Sequence, residues 1–273
     1  MNKLWAFGDS YTAGILPDLG HFTPYIKYMK YLGISKEEFP EGWAYQLAEK
    51  LNMNYENFGV GGSSNNETFI KIAKNSDRFQ KDDIVIINWT YLHRFLWALP
   101  NEDWADNETG DGGIPFFKFR RASINIHIDE NILNDKTNLS NVYEYVGLNK
   151  SLDAWIEEIL SWENIIDSLS KSVGFHVYYW SAEHRIHTIL GKEFSNKKYI
   201  CNDIVSNYLN TKLKEGIPHE QIPSELFHIS LKQYGAKTIF EETNGEVEDD
   251  HHFGIIGNKI QSELFYDWIK KTK

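Results

Sequence analysis

The chain has 273 residues, of which 28 are basic and 39 acidic, and its formal net charge is −11. A charge of that sign and size argues against non-specific nucleic-acid binding and against adsorption to anionic membranes. The length suffices for a sizeable core, and no apolar run approaches the ~20 residues needed to span a bilayer.

Two further features concern the compartment. No basic and apolar leader precedes the first predicted strand, which favours a protein without a cleaved signal peptide. The single cysteine, Cys201, excludes an internal disulfide and is consistent with a reducing compartment. We therefore expect a soluble cytoplasmic protein in which Cys201 is a buried or neutral thiol.

Strand and helix signals alternate along the chain. Within the predicted strand 83–88, residues 84–87 are apolar and β-branched, as is typical of a strand in the middle of a parallel sheet. The alternation predicts a single α/β domain over residues 1–273, with a mainly parallel sheet and helices on both faces. In chain order we predict a strand at 3–7, a helix at 42–51, a short strand at 55–58, a helix near 66–75, a strand at 83–88, a helix at 152–172, a strand at 175–180, a short strand at 238–241 and an apolar, helix-like segment at 260–269.

Two segments, at about 92–150 and 182–233, exceed this minimal frame. Insertions at such positions usually lie at the rim of an active site, so we expect them to form the substrate cleft. The first contains a basic patch formed by Lys118, Arg120 and Arg121. Such a patch could bind an acidic glycan or could be an ordinary solvated surface. In the second, His184 and His187 have helical spacing, but without a third ligand nearby in sequence a metal site there is the weaker interpretation.

The first strand ends abruptly in Gly8-Asp9-Ser10. In open α/β sheets ligands bind at the carboxyl ends of the strands, so a serine at this position could act as a nucleophile. The same three residues are also ordinary turn and N-cap chemistry, and by themselves favour a structural role. We interpret Asp9 as a turn or capping residue rather than a catalytic one.

A second candidate segment, residues 248–258, precedes the C-terminal apolar segment. Asp249 stands three residues before His252, so its carboxylate could orient the imidazole while Nε2 takes a proton from a serine. Asp250 and His251 are rivals for these two roles, but their spacing is less suitable. An acidic surface loop or a metal site would also account for the segment.

Together with two further stretches of sequence, Gly8-Asp9-Ser10 and the segment 248–258 make the chain resemble the SGNH (GDSL-type) hydrolases in four blocks. Gly8-Asp9-Ser10 matches the nucleophile block of that family. The segment 57–65 looks like the block whose glycine supplies an oxyanion-hole N–H, which assigns that role to Gly62. The third block follows the apolar residues 84–87, and the fourth is Asp249-x-x-His252 with Gly257 five residues later. The resemblance spans residue 4 to about residue 265.

The third block departs from the family pattern. Where the family usually has Gly-x-Asn-Asp, this chain has Asn88-Trp89-Thr90-Tyr91. Strict register puts Thr90 at the position of the oxyanion asparagine, and a threonine hydroxyl can donate one hydrogen bond. A shift of register would let Asn88 donate instead. A third interpretation makes both residues part of the turn and leaves the oxyanion to the backbone N–H groups of Ser10 and Gly62.

The resemblance implies a flavodoxin-like three-layer α/β/α sandwich and a serine esterase that needs neither cofactor nor metal. In that mechanism Ser10 is the nucleophile, His252 the general base and Asp249 its orienting partner. The implied substrate is a small acyl ester, such as an O-acetyl group on a glycan. The glycine-serine-asparagine form of the second block resembles members encoded by bacteriophages and bacteria.

Three other functions remain open at this point. The departure in the third block suits a glycan- or protein-binding module with a degenerate site. A lipase or thioesterase would need a longer apolar groove than sequence can reveal. The cluster Asp249, Asp250, His251 and His252 could instead support a metal-dependent hydrolase.

Overall fold

A computed structural model of the chain describes residues 2–13, 23–35, 42–61, 63–91, 94–100, 117–123, 152–181, 198–218, 226–248 and 252–273. Strands and helices alternate through these ranges. In chain order the elements are β1 (Lys3–Phe7), α1 (Ser10–Ala13), α2 (Thr23–Leu32), α3 (Trp43–Leu51), β2 (Asn54–Asn57), α4 (Asn65–Asn75), β3 (Ile84–Trp89), β4 (Arg94–Pro100), β5 (Phe117–Ser123), α5 (Leu152–Val173), β6 (His176–Ser181), α6 (Asn202–Lys214), α7 (Leu226–Leu231), α8 (Ile239–Glu242) and α9 (Ile255–Thr272).

Within the described ranges the central sheet has four strands in the order β2-β1-β3-β6, and the pairings between them are all parallel. The two inner strands, β1 and β3, are buried along almost their whole length. This confirms the predicted α/β fold with a parallel sheet and the central position of strand 83–88. Because the strands are parallel, the turns that follow β1, β2 and β3 all lie at one edge of the sheet.

Apolar cores cover both faces of the sheet. Alternate strand residues point to opposite faces, so each inner strand contributes to both cores. Helices α3, α6, α7 and α9 pack on one face, and α4 and α5 on the other. The first core contains Leu4, Ala6, Ile84 and Ile86, and the second contains Trp5, Phe7, Val85 and Ile87.

One predicted strand, at residues 238–241, is wrong. Thr238 makes only an isolated bridge to Phe253, and the next residues form α8. The reason is a capping box: the Thr238 hydroxyl accepts from the Glu241 N–H, and the Glu241 carboxylate accepts from the Thr238 N–H at 2.9 Å. Thr-x-x-Glu is a recognised helix-start signature, and here it overrides the β-branched composition.

The insertion at about 92–150 contributes an antiparallel pair, β4 and β5, which is separate from the main sheet. Lys118, Arg120 and Arg121 belong to β5. The remainder of this insertion lies outside the described residues. So do His184 and His187, whereas the parts of the second insertion that the structure describes are mostly helical.

Cys201 is a free and almost fully buried thiol immediately before α6, as predicted. Burial raises the pKa of this thiol well above its ordinary value. In the part of the chain that the structure describes, no helix combines the length and apolar character required to cross a membrane.

A buried carboxyl group lies beneath the end of β3. Glu163 of α5 is 5% exposed, and its Oε1 accepts hydrogen bonds from Trp89 Nε1 at 2.7 Å and from the Tyr199 hydroxyl at 2.5 Å. Burial raises the pKa of Glu163 from 4.5 to about 7, and nearby Asp167 adds to the rise, whereas the two hydrogen bonds and Lys198 oppose it. The folded chain therefore holds a proton on Glu163 that the unfolded chain releases near pH 4.5.

We expect this difference to appear in the pH dependence of stability. Because the folded-state pKa is the higher one, the contribution of Glu163 is fully present below pH 4.5 and is lost as the pH rises through 7. Between pH 5 and pH 8 the loss is about 2 to 3 kcal/mol. Glu163→Gln keeps an acceptor oxygen but does not titrate, so its stability relative to the wild type should rise by that amount over this range.

Urea unfolding of both proteins at several pH values measures this change. Glu157→Gln, at an exposed position on the same helix, is the control for the loss of a carboxyl group. A Glu163→Gln variant whose stability difference from the wild type does not change with pH would contradict the assignment.

Candidate active site

The structure brings together two of the residues singled out in the sequence, Ser10 and His252. Ser10 is the first residue of α1, separated from the end of β1 by Gly8 and Asp9, and His252 lies just before α9. The distance between Ser10 Oγ and His252 Nε2 is 2.9 Å, although 242 positions separate them in the chain. Both side chains are largely buried, with exposures of 7% and 2%. A hydroxyl and an imidazole at this distance are close enough for proton transfer between them.

The turn that presents Ser10 requires a glycine. Gly8 has φ +153°, a conformation that L side chains rarely adopt, and a Cβ there would lie 2.4 Å from the Thr12 hydroxyl oxygen and 2.6 Å from Asn88 Cβ. The Asp9 carbonyl accepts from the N–H groups of Thr12 and Ala13, which closes the turn into α1. Position 8 therefore requires glycine both for its backbone conformation and because Asn88 of β3 packs closely against it.

The backbone around His252 is fixed to the start of α8. The His252 carbonyl accepts from the Ile239 N–H at 2.9 Å, and the Gly254 N–H donates to the Lys237 carbonyl at 3.2 Å. Gly257 allows the first turn of α9 to approach this backbone, because a Cβ there would lie 2.4 Å from the Lys237 oxygen. The residues around the start of α8 thus hold the backbone at His252 and at Gly254 in place.

Asn258 and Trp43 connect the serine turn with the histidine segment. The Asn258 amide donates to the carbonyls of Phe253 and Gly254, and its Oδ1 accepts from the Trp43 N–H. Trp43 Nε1 in turn donates to the Tyr11 carbonyl at 2.9 Å. Neither role could be predicted from the sequence. The buried residues of α9 include three polar ones, Asn258, Gln261 and Ser262, so no pattern distinguishes Asn258.

Glu242 completes the support of the C-terminal helix. The N-cap residue of α9, Gly254, has no side chain that could cap the helix, and the Glu242 carboxylate instead accepts from the Ile256 N–H at 2.9 Å. Such a carboxylate also interacts favourably with the positive end of the helix dipole. Tyr28 donates a hydrogen bond to Glu242, and burial together with this carboxylate raises the pKa of Tyr28 well above its ordinary value.

Asp9 forms a buried hydrogen-bond cluster with the end of β3. Its Oδ1 accepts from Asn88 Nδ2 at 2.8 Å and from the Tyr11 N–H at 3.0 Å, and its Oδ2 accepts from the Thr90 hydroxyl at 2.5 Å. Asn65 holds the backbone of Thr90 through two further hydrogen bonds. Asp9 therefore does more than shape a turn: it joins the serine turn to the neighbouring strand.

This cluster bears on the two predicted oxyanion donors. The single hydroxyl proton of Thr90 is donated to Asp9, so in this arrangement it does not point to a developing oxyanion. Asn88 donates one of the two hydrogens of its amide to Asp9, which leaves the second for another acceptor. The geometry therefore argues against Thr90 as the oxyanion donor, whereas donation by Asn88 and donation by the backbone N–H groups of Ser10 and Gly62 both stay predictions.

The glycine-rich segment after β2 approaches the serine closely. Gly59 packs against the end of α1, where a Cβ would lie 2.2 Å from the Ala13 nitrogen, and Asn57 donates to the Thr12 carbonyl at 2.8 Å. A Cβ on Gly61 would lie 4.0 Å from Ser10 Cβ. Gly62, the predicted oxyanion donor, is outside the described residues. Gly61, which precedes it in the chain, lies close to Ser10.

Asp249, the predicted partner of His252, also lies outside the described residues, together with Asp250 and His251. Its role as the third member of a triad stays a prediction. Among the residues that the structure does describe, no three His, Cys, Asp or Glu side chains are grouped as metal ligands would be.

Aromatic rings surround the imidazole of His252. Tyr11 stacks on it with ring centroids 4.7 Å apart, and Tyr25 of α2 approaches it edge-on at 6.0 Å. His228 of α7 also contacts the Tyr11 ring, at 4.3 Å. These three side chains come from separate elements, so no local sequence pattern indicated their meeting. The imidazole is thus held in an aromatic environment at the edge of the sheet.

No model of a known protein family matches this chain, and no curated protein matches it significantly. The geometry of the site must therefore carry the functional argument.

Proposed function

We propose that the protein is a serine ester hydrolase that works through an acyl-enzyme, with the three-layer architecture and site plan of the SGNH hydrolases. The observation that carries the proposal is the 2.9 Å contact between Ser10 Oγ and His252 Nε2 at the carboxyl edge of a parallel sheet. Two residues 242 positions apart meet in the relation that nucleophilic catalysis requires.

The chemistry proceeds in two halves. Ser10 Oγ attacks the ester carbonyl carbon while its proton passes to His252 Nε2, and the carbonyl oxygen becomes an oxyanion bound by the N–H groups of Ser10 and Gly62. The intermediate collapses, the carbon–oxygen bond to the alcohol breaks, and His252 returns the proton to that alcohol. Water then attacks the acyl-serine with His252 again as base, which releases the carboxylic acid and restores Ser10. Asp249 would orient the imidazole throughout.

We propose a short acyl ester, such as an O-acetyl group on a glycan, as the substrate. Support comes from the aromatic enclosure of the site, where Tyr11, Tyr25 and Tyr91 are each less than a tenth exposed. Such an enclosure favours a small acyl group close to Ser10.

Hydrolysis of p-nitrophenyl esters tests the proposal. We expect turnover of the acetyl ester that EDTA does not change, and slower turnover as the acyl chain lengthens beyond butyryl. Activity abolished by EDTA would support the metal-dependent alternative instead. A preference for long acyl chains would support a lipase or thioesterase, and the absence of turnover with every ester would support a binding module.

A further inference from the structure

The Tyr11 ring lies almost parallel to the imidazole of His252. The ring centroids are 4.7 Å apart and the planes differ by 21°. Because Tyr11 directly follows Ser10, the nucleophile and the ring that covers its base belong to the same turn. A change that moved this turn would move both partners of the base together.

Tyr11 is itself held in place at three points. Its N–H donates to Asp9 Oδ1 at 3.0 Å, its carbonyl accepts from Trp43 Nε1 at 2.9 Å, and its hydroxyl lies 3.2 Å from the Tyr91 hydroxyl. The side chain is 7% exposed. The ring therefore has little freedom to turn away when the charge on the neighbouring imidazole changes.

A parallel aromatic ring has two physical effects on an imidazole. It restricts rotation of the imidazole plane, and here this keeps Nε2 directed at Ser10 Oγ. The face of the ring also carries negative charge density, which attracts a cation held against it. An imidazolium forms when His252 takes the Ser10 proton, so the attraction is greater in the transition state than before the reaction.

We propose that Tyr11 is a positioning residue for His252, which fixes the plane of the imidazole and stabilises its protonated form. This inference rests on the proposed function, since it assigns His252 the general-base role. Among the described residues, Tyr25 of α2 also faces the imidazole, edge-on at 6.0 Å. Three further titratable residues, Asp249, Asp250 and His251, precede His252 in the sequence, and Asp249 is the predicted third member of the triad. His228 contacts Tyr11 rather than forming the stack.

Two variants at position 11 separate the ring face from the hydroxyl. Tyr11→Phe keeps the face and removes the contact with Tyr91, whereas Tyr11→Leu keeps apolar volume and removes the face. In Tyr11→Leu we expect the rising limb of the pH profile of kcat/KM to move down by about 0.7 to 1.5 pH units. Its kcat should fall by about 5- to 30-fold with KM little changed. In Tyr11→Phe the midpoint should stay within about 0.3 pH units of the wild type.

A titration by NMR gives the same information without a substrate. The His252 ring resonance is assigned by its disappearance in His252→Ala, and its titration midpoint should follow the same order in the variants. Pentafluorophenylalanine at position 11 keeps the ring shape but reverses the charge on its face. It should therefore lower the midpoint as Tyr11→Leu does, even if the leucine variant folds poorly.

The two readouts distinguish failure of this inference from failure of the proposed function. An active enzyme whose His252 midpoint is unchanged in Tyr11→Leu and with the fluorinated ring would overturn the role of Tyr11 alone. A midpoint that shifts as expected in a chain without esterase activity would overturn the proposed function and leave the effect of Tyr11 on the imidazole standing. A role in packing alone would lower stability without moving the midpoint.

Discussion

Replacement of Ser10 by alanine is expected to lower kcat/KM for p-nitrophenyl acetate by about 10⁴- to 10⁶-fold, and His252→Ala by a similar factor. The reason is that Ser10 Oγ and His252 Nε2, 2.9 Å apart, act as one unit in which the histidine activates the hydroxyl. The double variant should therefore be no slower than the single ones. Steady-state kinetics of the three variants measure this directly.

Ser181→Ala is the matched control for this experiment. Ser181 is also buried, at the carboxyl end of β6, but its hydroxyl donates to the Trp89 carbonyl at 2.6 Å. We expect its kcat/KM to stay within about tenfold of the wild type, because its hydroxyl donates to a strand carbonyl rather than to the imidazole. Strictly multiplicative losses in the Ser10 and His252 variants would contradict a shared catalytic role.

The second large effect is expected on the stability of the protein when Asp9 is replaced. Asp9→Ala removes the acceptor for Asn88 Nδ2, the Thr90 hydroxyl and the Tyr11 N–H, all in a buried site. Leaving such donors unpaired should lower the free energy of unfolding by about 3 to 5 kcal/mol. Asp9→Asn should cost less than half as much, because its oxygen still accepts and the Thr90 hydroxyl can turn to accept from the new amide. Urea unfolding measures both.

Asp83 offers a control at the opposite end of the same sheet. This buried carboxyl group accepts from the Lys3 N–H, Trp5 Nε1 and the Gln80 N–H. Asp83→Ala should lower stability by a similar amount, about 3 to 5 kcal/mol, yet leave kcat of the folded protein unchanged. Asp9→Ala should lower both, because Ser10 and Tyr11 follow it directly. Full kcat in folded Asp9→Ala would show that the cluster does not position the serine.

The parallel sheet could be predicted from sequence because its signals are local. Residues 84–87 are uniformly apolar and β-branched, which is typical of a central strand, and Gly8-Asp9-Ser10 marks the abrupt end of the first strand. The strand predicted at residues 238–241 is wrong for an equally local reason, since the capping box of Thr238 and Glu241 starts a helix there despite the β propensity of these residues.

The parts of the site that sequence did not predict depend on tertiary contacts. Nothing near Thr90 indicates that its hydroxyl binds Asp9, because the contact spans 81 positions and depends on the register between β1 and β3. The stack of Tyr11 on His252 and the bridge from Asn258 to Trp43 are of the same kind. Such contacts exist only once the sheet has brought its strand ends together.

Labelling with a fluorophosphonate, followed by mass spectrometry of the peptides, tests the central claim most directly. The reagent forms a stable adduct only with a serine activated by a neighbouring base. We predict one adduct per chain, on Ser10, which is absent in Ser10→Ala, forms far more slowly in His252→Ala and is unaffected by EDTA. A wild-type chain in which Ser10 stays unmodified while p-nitrophenyl acetate is hydrolysed would contradict the account.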